Sequence, residues 1–277
     1  MEFDYIEQGD CLELMKKIPD GSIDLTVTSP PYDNLRTYNG NIDQWCFEKF
    51  QKIAEELFRI TKDGGVVVWV VGDATIKGSE TGTSLRQALY FKECGFNIHD
   101  TMIYDKGSCR FPDVTRYYQS FEYMFVFSKG KPKTFNPICD RKNKCAGEKI
   151  QSTTERNPDG SLRKTSAETN NTGRTIREYG FRFNIWQISS GKGKSTLDDY
   201  AFGHPAVFPE QLAQDHILSW SNPGDIVFDP FLGSGTTAKM SVLNDRHYIG
   251  FELDPGYYDI ACRRLDESEG KVANGVL

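Results

Sequence analysis

Residues 225–240 read DIVFDPFLGSGTTAKM, and this stretch indicates the fold most directly. A short apolar run ends at Asp229, a turn follows through the GSG of residues 233–235, and a helical pattern begins near Thr236. Glycines let a backbone turn tightly and approach a ligand closely, and the first turn of a helix favours a polar or negative group. A strand, a glycine turn and a helix in this order predict a ligand-binding edge of an α/β sheet.

A carboxylate follows at the end of the next apolar run, because Glu252, in YIGFELD, lies 17 residues after Gly235. In a doubly wound sheet, an acidic residue at the end of the neighbouring strand reaches the hydroxyls of a ribose. No Gly-Lys-Ser/Thr triplet follows the glycines, so the loop is not a phosphate-binding P-loop. The pattern predicts a nucleoside cofactor without a triphosphate, although a GxG turn alone is a weak signal.

Strand and helix patterns alternate along most of the chain. Apolar runs typical of strands cover residues 23–27, 65–71, 97–104, 121–128, 226–229 and 248–251. Helical spacing covers residues 47–60, 84–94, 208–220, 236–243 and 257–265, and we expect residues 267–277 to be a frayed tail. The alternation predicts an α/β fold with a doubly wound, mostly parallel, Rossmann-like sheet.

Charge is distributed unevenly along the chain. The 277 residues have a formal net charge of −6, but residues 129–194 contain fifteen Lys and Arg against six Asp and Glu. This segment carries +9 and leaves −15 for the remainder. It is either a solvated, partly mobile insertion or a surface that binds phosphates. We therefore divide the chain into residues 1–130, a basic insertion at 131–203, and residues 204–277, with both outer parts in one domain.

Several classes of protein do not fit this composition. No apolar stretch approaches the ~20 residues of a membrane span, and the N-terminus MEFDYIEQGD is acidic where a signal peptide would be basic and then apolar. We expect a cytoplasmic protein without a membrane partner. The seven cysteines are odd in number and include no CxxC pair, so we expect reduced thiols and no zinc or other metal site.

The second motif is TSPPY, residues 28–32, directly after the first predicted strand. Each proline fixes φ and lacks an N–H group, so two in succession end strand pairing and leave nearby carbonyl groups without a backbone partner. The stretch is then a stiff polar corner. The alternative is a simple strand stop capped by Ser29.

TSPPY, followed by DPFLGSGTT at 229–237 and GFELD at 250–254, resembles the amino-methylating DNA methyltransferases that use S-adenosylmethionine. The order of catalytic tetrapeptide, basic insertion and cofactor loop is similar to the permuted beta group of that family, over residues 9–265. The resemblance implies S-adenosylmethionine as cofactor and double-stranded DNA as partner. A cognate restriction enzyme and a homodimer are further expectations of the same kind.

The resemblance also implies roles for individual residues. Phe231, Gly233 and Gly235 would lie under the methionine part of the cofactor, Asp229 near its amino group, and Glu252 at the ribose. Asp10 would lie near the adenine, with the capping of a helix at 11–17 as the alternative. The segment FGHPAVFPEQL would form a pocket wall in which His204 is structural. The predicted cofactor residues are Asp10, His204, Pro205, Phe208, Asp229, Pro230, Phe231, Gly233, Ser234, Gly235, Thr236 and Glu252.

The predicted catalytic residues are Ser29, Pro30, Pro31 and Tyr32. The lone pair of a base's exocyclic amino group is shared with the ring, and acceptors aimed at its two hydrogens release it for attack on a sulfonium methyl. Ser29 Oγ and the Pro30 carbonyl can be those acceptors, and Tyr32 offers a face on which an extruded base can stack. No cysteine lies at the corner, so no covalent enzyme intermediate is expected.

The choice of base has two answers from sequence. Serine in the first position resembles the cytosine-N4 enzymes more than the adenine-N6 enzymes, so cytosine N4 is the favoured target and adenine N6 the alternative. Two other functions would share part of the pattern. A methyltransferase for RNA or protein could use the same cofactor loop, and a non-catalytic nucleic-acid-binding module would not need Glu252 or the glycines.

The basic insertion is the predicted target-recognition region, where Arg and Lys would contact phosphates and guanine edges. Two arginines in SCRFPDVTRYYQSFEY, which we expect to lie near the tetrapeptide in the fold, are added as candidates, with ordinary surface charge as the alternative. The predicted DNA-binding residues are Arg110, Arg116, Arg141, Lys142, Arg174, Arg177 and Arg182.

Overall fold

The computed structural model describes residues 1–32, 45–108, 114–151, 154–164 and 173–273. Within these residues, eight strands form one sheet: β1 Tyr5–Gln8, β2 Ile23–Thr28, β3 Thr61–Val71, β4 Asn97–Asp105, β5 Phe121–Ser128, β6 Ile185–Gln187, β7 Ile226–Asp229 and β8 His247–Glu252. Their order across the sheet is β1-β8-β7-β2-β3-β5-β4-β6.

The sheet is mostly parallel. β1, β8, β7, β2 and β3 pair in parallel with one another in that order, and β6 pairs in parallel with β4. β5 is antiparallel to both β3 and β4, so it is the reversed strand of the described sheet. The predicted α/β fold with a doubly wound, mostly parallel sheet is confirmed.

Helices cover both faces of the sheet. They are α1 Cys11–Met15, α2 Phe47–Ile60, α3 Thr83–Glu93, α4 Glu210–Trp220, α5 Thr236–Val242 and α6 Pro255–Ala273, with a 3-10 helix at Asp199–Gly203. Ile249 belongs to the core cluster beneath α1, α2 and α3, whereas Tyr248 packs with residues of α5 and α6. Because successive strand residues point to opposite faces, the two groups of helices lie on opposite sides of β8.

The centre of the sheet is buried on both faces. All residues from Val66 to Val71 on β3 are buried, which explains the unbroken apolar run in the sequence. On one side, α2 places Phe50, Ile53 and Leu57 against this core at helical spacing. The aromatic rings of Phe50 and Phe91 lie edge to face near Trp69 and make the contact between helix and sheet specific.

Helix α6 corrects one expectation. The predicted frayed tail at 267–277 is wrong for its first part, because α6 continues to Ala273. Ser268 is buried and donates to the Arg264 carbonyl, and two tyrosines from outside the helix donate to Glu267 and Glu269. Such side-chain contacts stabilise a helix end whose own sequence is polar. Residues 274–277 lie outside the described residues.

Helix α4 is shorter than predicted. The helical pattern at 208–220 suggested a start at Phe208, but α4 begins at Glu210 and Pro209 precedes it as the N-cap, with extended backbone. Proline fixes φ and disfavours helical backbone in the residue before it, so Phe208 stays outside the helix.

The chain divides into two compact units, residues 1–136 with 184–277 and residues 137–183. The second unit contains two short antiparallel pairs, Thr154–Arg156 with Leu162–Lys164 and Arg141–Lys142 with Tyr179–Gly180. This unit covers fewer residues than the insertion predicted from the sequence at 131–203, because β6 belongs to the main sheet and Trp186 is buried there.

In the part of the chain that is described, no helix is both long and apolar enough to cross a membrane.

Candidate functional site

Two sequence motifs and an acidic residue meet at one edge of the sheet. β8, β7 and β2 are adjacent and parallel, so their carboxyl ends lie side by side. TSPPY leaves the end of β2, the glycine loop leaves the end of β7, and Glu252 is the last residue of β8. This edge is where an open α/β sheet binds its ligands.

The glycine loop is held by Glu252. Glu252 Oε2 accepts from Gly233 N at 2.7 Å, and Oε1 accepts from Asp254 N at 2.9 Å. Burial raises the pKa of Glu252 above its ordinary value, against the effect of these backbone hydrogen bonds. A carboxylate has about four acceptor positions, so these bonds leave capacity for a hydroxyl-bearing ligand. The predicted contact with a ribose stays a prediction.

Both loop glycines have backbone that side chains rarely adopt, with φ of 55° at Gly233 and 82° at Gly235. A Cβ at Gly233 would lie 3.1 Å from His204 Nε2, and one at Gly235 would lie 3.0 Å from the Cα and Cβ of Ala261. The loop therefore passes between His204 and α6 with no room for a side chain. A backbone bared in this way is the kind of surface that a cofactor can approach closely.

Asp229 joins the loop to the TSPPY corner. Its Oδ1 accepts from Thr28 Oγ1 at 2.6 Å and from Phe231 N at 3.0 Å. Burial raises the pKa of Asp229 to about 6, against the opposing effect of these hydrogen bonds. The two motifs, about 200 residues apart in the chain, thus share one buried carboxyl group. Its predicted place near the amino group of the cofactor is untested.

At the corner itself, Ser29 Oγ donates to Tyr32 Oη at 2.8 Å. Tyr32 Oη lies 2.9 Å from Glu122 Oε2 and 3.2 Å from the Val70 carbonyl oxygen, and Lys106 Nζ pairs with Glu122 Oε1 at 3.0 Å. Pro30 is buried, and Ser29, Pro31 and Tyr32 are half-buried. The corner therefore presents a serine hydroxyl and an aromatic ring that are both fixed by neighbouring polar groups.

Sequence reasoning missed Glu122, although it named the stretch that contains it. Glu122 lies near the start of β5, and because β5 is reversed, its start pairs with the carboxyl ends of β3 and β4, at the sheet edge where β2 also ends. An acidic residue at the beginning of an apolar strand is a detectable signal. Its place at the site follows only when the direction of that strand is known.

The FGHPAVFPEQL segment lies against the loop, and its role as a pocket wall stays a prediction. His204 Nδ1 accepts from Ala206 N at 3.2 Å, and its ring packs edge to face on Tyr257 at 4.4 Å between centroids. Thr236 Oγ1 donates to the Phe208 carbonyl oxygen at 3.1 Å. Pro205 is exposed. These contacts agree with a structural role for His204.

Asp10 caps α1, as the alternative prediction proposed. Its Oδ1 accepts from Leu12 N at 2.9 Å and its Oδ2 from Lys49 Nζ at 2.7 Å. Partial burial acts to raise the pKa of Asp10, but the hydrogen bonds from Lys49 and Leu12 outweigh it and lower the pKa below its ordinary value. Asp10 also follows β1, beside β8, so it stands at the same sheet edge. Its contact with an adenine stays a prediction.

Beneath the glycine loop lies a buried group of charges that the sequence did not reveal. The fully buried Arg264 donates to the Ser234 carbonyl oxygen at 2.8 Å and to Thr236 Oγ1 at 2.9 Å. It also pairs with Asp198 at 2.9 Å and Glu210 at 2.6 Å, and Lys239 Nζ pairs with the same two carboxylates. The loop is thus tied from below to α4, α5 and α6.

Most of the predicted DNA-binding residues lie in the 137–183 unit, and the others come from the stretch SCRFPDVTRYYQSFEY. Arg182 pairs with Asp140, and Arg141 donates to the Phe181 carbonyl oxygen and lies over the Phe183 ring, so both stabilise the 137–183 unit. Lys142, Arg174 and Arg177 are exposed in that unit. In the first unit, Arg116 donates to the Gly78 carbonyl oxygen at 2.8 Å. Arg110 lies outside the described residues.

Comparison with known proteins assigns the family. A family model described as DNA methylase, and covering N6 and N4 enzymes by its name, matches residues 23–263. The orphan methyltransferase M.BamHII of Bacillus amyloliquefaciens is 61% identical over 254 residues, 91% of this chain and 92% of the relative. Relatives of lower identity include one named as an adenine methyltransferase.

Solved structures share the fold. The PvuII DNA methyltransferase, described as cytosine-N4-specific, is 21% identical with a TM-score of 0.67 and covers 99% of this chain and 94% of its own. A DNA modification methylase from Thermus thermophilus, complexed with S-adenosylmethionine, is 23% identical with a TM-score of 0.62 and covers 95% of each chain. The Thermus protein thus holds S-adenosylmethionine in a chain of this fold. Because the family model matches most of its length and a relative is 61% identical over 91% of it, the chain belongs to the DNA methylase family.

Proposed function

We propose that this protein transfers a methyl group from S-adenosylmethionine to the exocyclic amino group of a base flipped out of DNA, with cytosine N4 as the favoured target. The observation that carries the proposal is the 2.6 Å hydrogen bond from Thr28 to Asp229, which joins the TSPPY corner to the glycine loop. An acceptor site for an amino group and a bared backbone for a cofactor are thereby adjacent.

The residues at the edge fit a nucleoside cofactor. Gly233 and Gly235 keep the loop backbone bare where a Cβ would meet His204 or Ala261, and Glu252 offers carboxylate oxygens at the end of the next strand. S-adenosylmethionine, when bound, supplies an electrophilic methyl group. Its contacts would come from the glycine loop and Glu252, with His204 and Phe208 behind the loop.

The corner would act on the other reactant. Ser29 Oγ and the Pro30 carbonyl would accept from the two amino hydrogens, which favours a pyramidal nitrogen with its lone pair free for in-line attack. Tyr32 would hold the flipped base by stacking, which offsets part of the few kcal/mol required to take the base out of the helix. On this proposal Ser29→Ala slows methyl transfer and spares cofactor affinity, and an unchanged rate would assign the chemistry to the Pro30 carbonyl alone.

The preference for cytosine depends on Ser29, because the family includes enzymes for both bases. Duplex DNA methylated by the purified protein would be digested to nucleosides and analysed by mass spectrometry. We expect N4-methylcytosine. Finding N6-methyladenine alone would overturn the choice of base and leave methyl transfer to DNA intact, and a preference for RNA over duplex DNA would overturn the substrate class.

DNA recognition is assigned to the basic insertion, with the 137–183 unit as its compact part. Lys142, Arg174 and Arg177 are exposed there and are the candidates for phosphate contact. A relative with 61% identity is named an orphan methyltransferase, so we propose, in place of the cognate restriction enzyme expected from the resemblance, that this protein acts without a dedicated one. A neighbouring nuclease that cuts the same recognition sequence only when it is unmethylated would contradict this. The homodimer and the cytoplasmic location stay predictions, testable by sedimentation and by cell fractionation.

A further inference from the structure

Behind Ser29, the predicted acceptor, Tyr32, Glu122 and Lys106 continue an unbroken series of hydrogen bonds. Ser29 Oγ lies 2.8 Å from Tyr32 Oη, and Tyr32 Oη lies 2.9 Å from Glu122 Oε2. The second oxygen of Glu122 pairs with Lys106 Nζ at 3.0 Å. These contacts run from the half-buried serine to an ion pair between Lys106, the residue after β4, and Glu122 of the neighbouring strand β5.

The acid at the end determines the direction of every bond in the chain. A carboxylate only accepts hydrogen bonds, whereas serine and tyrosine hydroxyls each have one proton to donate. Tyr32 also lies 3.2 Å from the Val70 carbonyl, but the shorter contact with a charged acceptor is the stronger one. Tyr32 therefore donates toward Glu122, and Ser29 donates toward Tyr32. Ser29 Oγ is left as an acceptor.

This direction matters for the chemistry, because a serine hydroxyl can either accept from an amino group or point its own proton at it. Only the first arrangement draws the amino hydrogens away and frees the nitrogen lone pair. Without an acceptor-only group behind it, Tyr32 could donate to Ser29 instead and turn the serine proton outward. A serine is also a weaker acceptor than a carboxylate, and a negative charge at the far end of the chain strengthens it through polarisation.

The fold makes room for this chain at Gly72, just after β3. A Cβ at Gly72 would lie 3.4 Å from Glu122 Cγ and 3.7 Å from Tyr32 Cε2, so both side chains pack over a bare backbone. Glu122 reaches the corner because β5 is antiparallel and starts at the edge where β2 and β3 end.

We propose that Glu122 is a positioning residue for methyl transfer, which acts through Tyr32 to hold Ser29 Oγ as the acceptor for the substrate amino group. The inference rests on the proposed function and deepens it. Glu122 lies 90 positions after Tyr32 in the sequence. Its negative charge would compensate for the weaker acceptor strength of a serine at the position where a carboxylate would accept more strongly.

The test uses Glu122→Gln and Tyr32→Phe, singly and together, in the full-length protein. Each single variant should lower the single-turnover rate of methyl transfer about tenfold, which corresponds to one hydrogen bond of about 1.4 kcal/mol. Because both changes break the same chain, the double variant should be little slower than either single one, and a double-mutant cycle measures this coupling. S-adenosylmethionine affinity, measured by calorimetry, and the melting temperature should stay near wild type.

A matched control exists elsewhere in the chain. Tyr90 Oη donates to Glu55 Oε1 at 2.7 Å, an exposed tyrosine–glutamate pair between α2 and α3. Glu55→Gln should leave the transfer rate unchanged.

Several outcomes would overturn the inference while the proposed function stands. One is wild-type activity in Glu122→Gln, and another is a double variant in which the two rate reductions multiply. A reduced cofactor affinity or melting temperature that matches the reduced rate would also overturn it, since this indicates a structural role. Tyr32→Phe keeps the ring and supplies the answer if Glu122→Gln does not fold. Absence of methyl transfer to DNA by the wild-type protein would remove the proposed function and the inference together.

Discussion

The glycine loop at residues 233–235 and the unit at 137–183 differ in what holds their backbone. The loop is fixed by buried groups, with Glu252 bonded to Gly233 N and the guanidinium of Arg264 bonded to the Ser234 carbonyl. The 137–183 unit has two short strand pairs and charged contacts at its surface, such as Arg182 with Asp140, whose side chain is 50% exposed. Substitutions in the first region should therefore act through structure, and those in the second through charge.

The sharpest test of the comparison is Arg264→Met, which removes one of two cations from a buried group with two carboxylates. Breaking a buried ion pair from one side costs about 3–5 kcal/mol. We expect a decrease of that size in the free energy of unfolding, measured with denaturant, together with weaker binding of S-adenosylmethionine. The neighbouring Arg263→Met is the control, since Arg263 is 60% exposed and pairs with Glu267. It should cost less than about 1 kcal/mol. Equal effects would contradict the structural role of the buried group.

The next effect is a pH dependence due to Asp229. Burial raises the pKa of this carboxyl to about 6, above its unfolded value of about 4. The folded state then binds the proton more tightly, so this group favours folding at low pH and its contribution disappears as pH rises from about 4 to 6. The difference is at most about 3 kcal/mol. Asp229→Asn should remove it, and unfolding measured across this pH range checks the slope. Parallel curves for the two proteins would contradict the burial argument.

A smaller effect is expected at the loop glycines. Gly235→Ala places a Cβ in left-handed backbone and 3.0 Å from Ala261, and should cost about 2–3 kcal/mol, with reduced cofactor affinity. Gly224 has a similar φ of 84° but no atom within 4 Å of a Cβ. Gly224→Ala should cost only the backbone strain of about 1 kcal/mol and leave cofactor affinity unchanged. Melting temperature and calorimetric titration distinguish the two positions.

The smallest effect on stability is predicted in the basic unit. Replacing Lys142, Arg174 and Arg177 by Ala should change the free energy of unfolding by less than about 0.5 kcal/mol for each residue. DNA affinity should fall, and the slope of log affinity against log salt should decrease by about 1 for each phosphate that is no longer neutralised. Lys16→Ala, an exposed lysine of the first unit, should leave the slope unchanged. An unaltered slope in the triple variant would refute the assignment of this surface to DNA.

Much of the fold could be predicted from the sequence, because the local hydrophobic pattern of these segments agrees with their burial in the tertiary structure. The buried run 65–71 became the C-terminal part of β3, and the helical spacing at 47–60 became α2 with the same limits. The prediction of a frayed tail failed at the end of α6, where the sequence is polar but tertiary contacts stabilise the helix. There the hydroxyl groups of Tyr200 and Tyr248 donate to glutamates of α6. Local sequence carries no record of such partners.

By itself, the sequence determined the alternation of strands and helices, the two motifs and the carboxylate after them, because each depends on neighbours within a few residues. Only the tertiary structure decided which distant groups complete the site. Glu122 reaches Tyr32 because β5 is reversed, and Arg264 reaches the Ser234 carbonyl because α6 packs against Gly235. The physical reason is the same in both cases. Strand order and helix packing bring these side chains together, and a buried polar group is stable only where that packing supplies its partner.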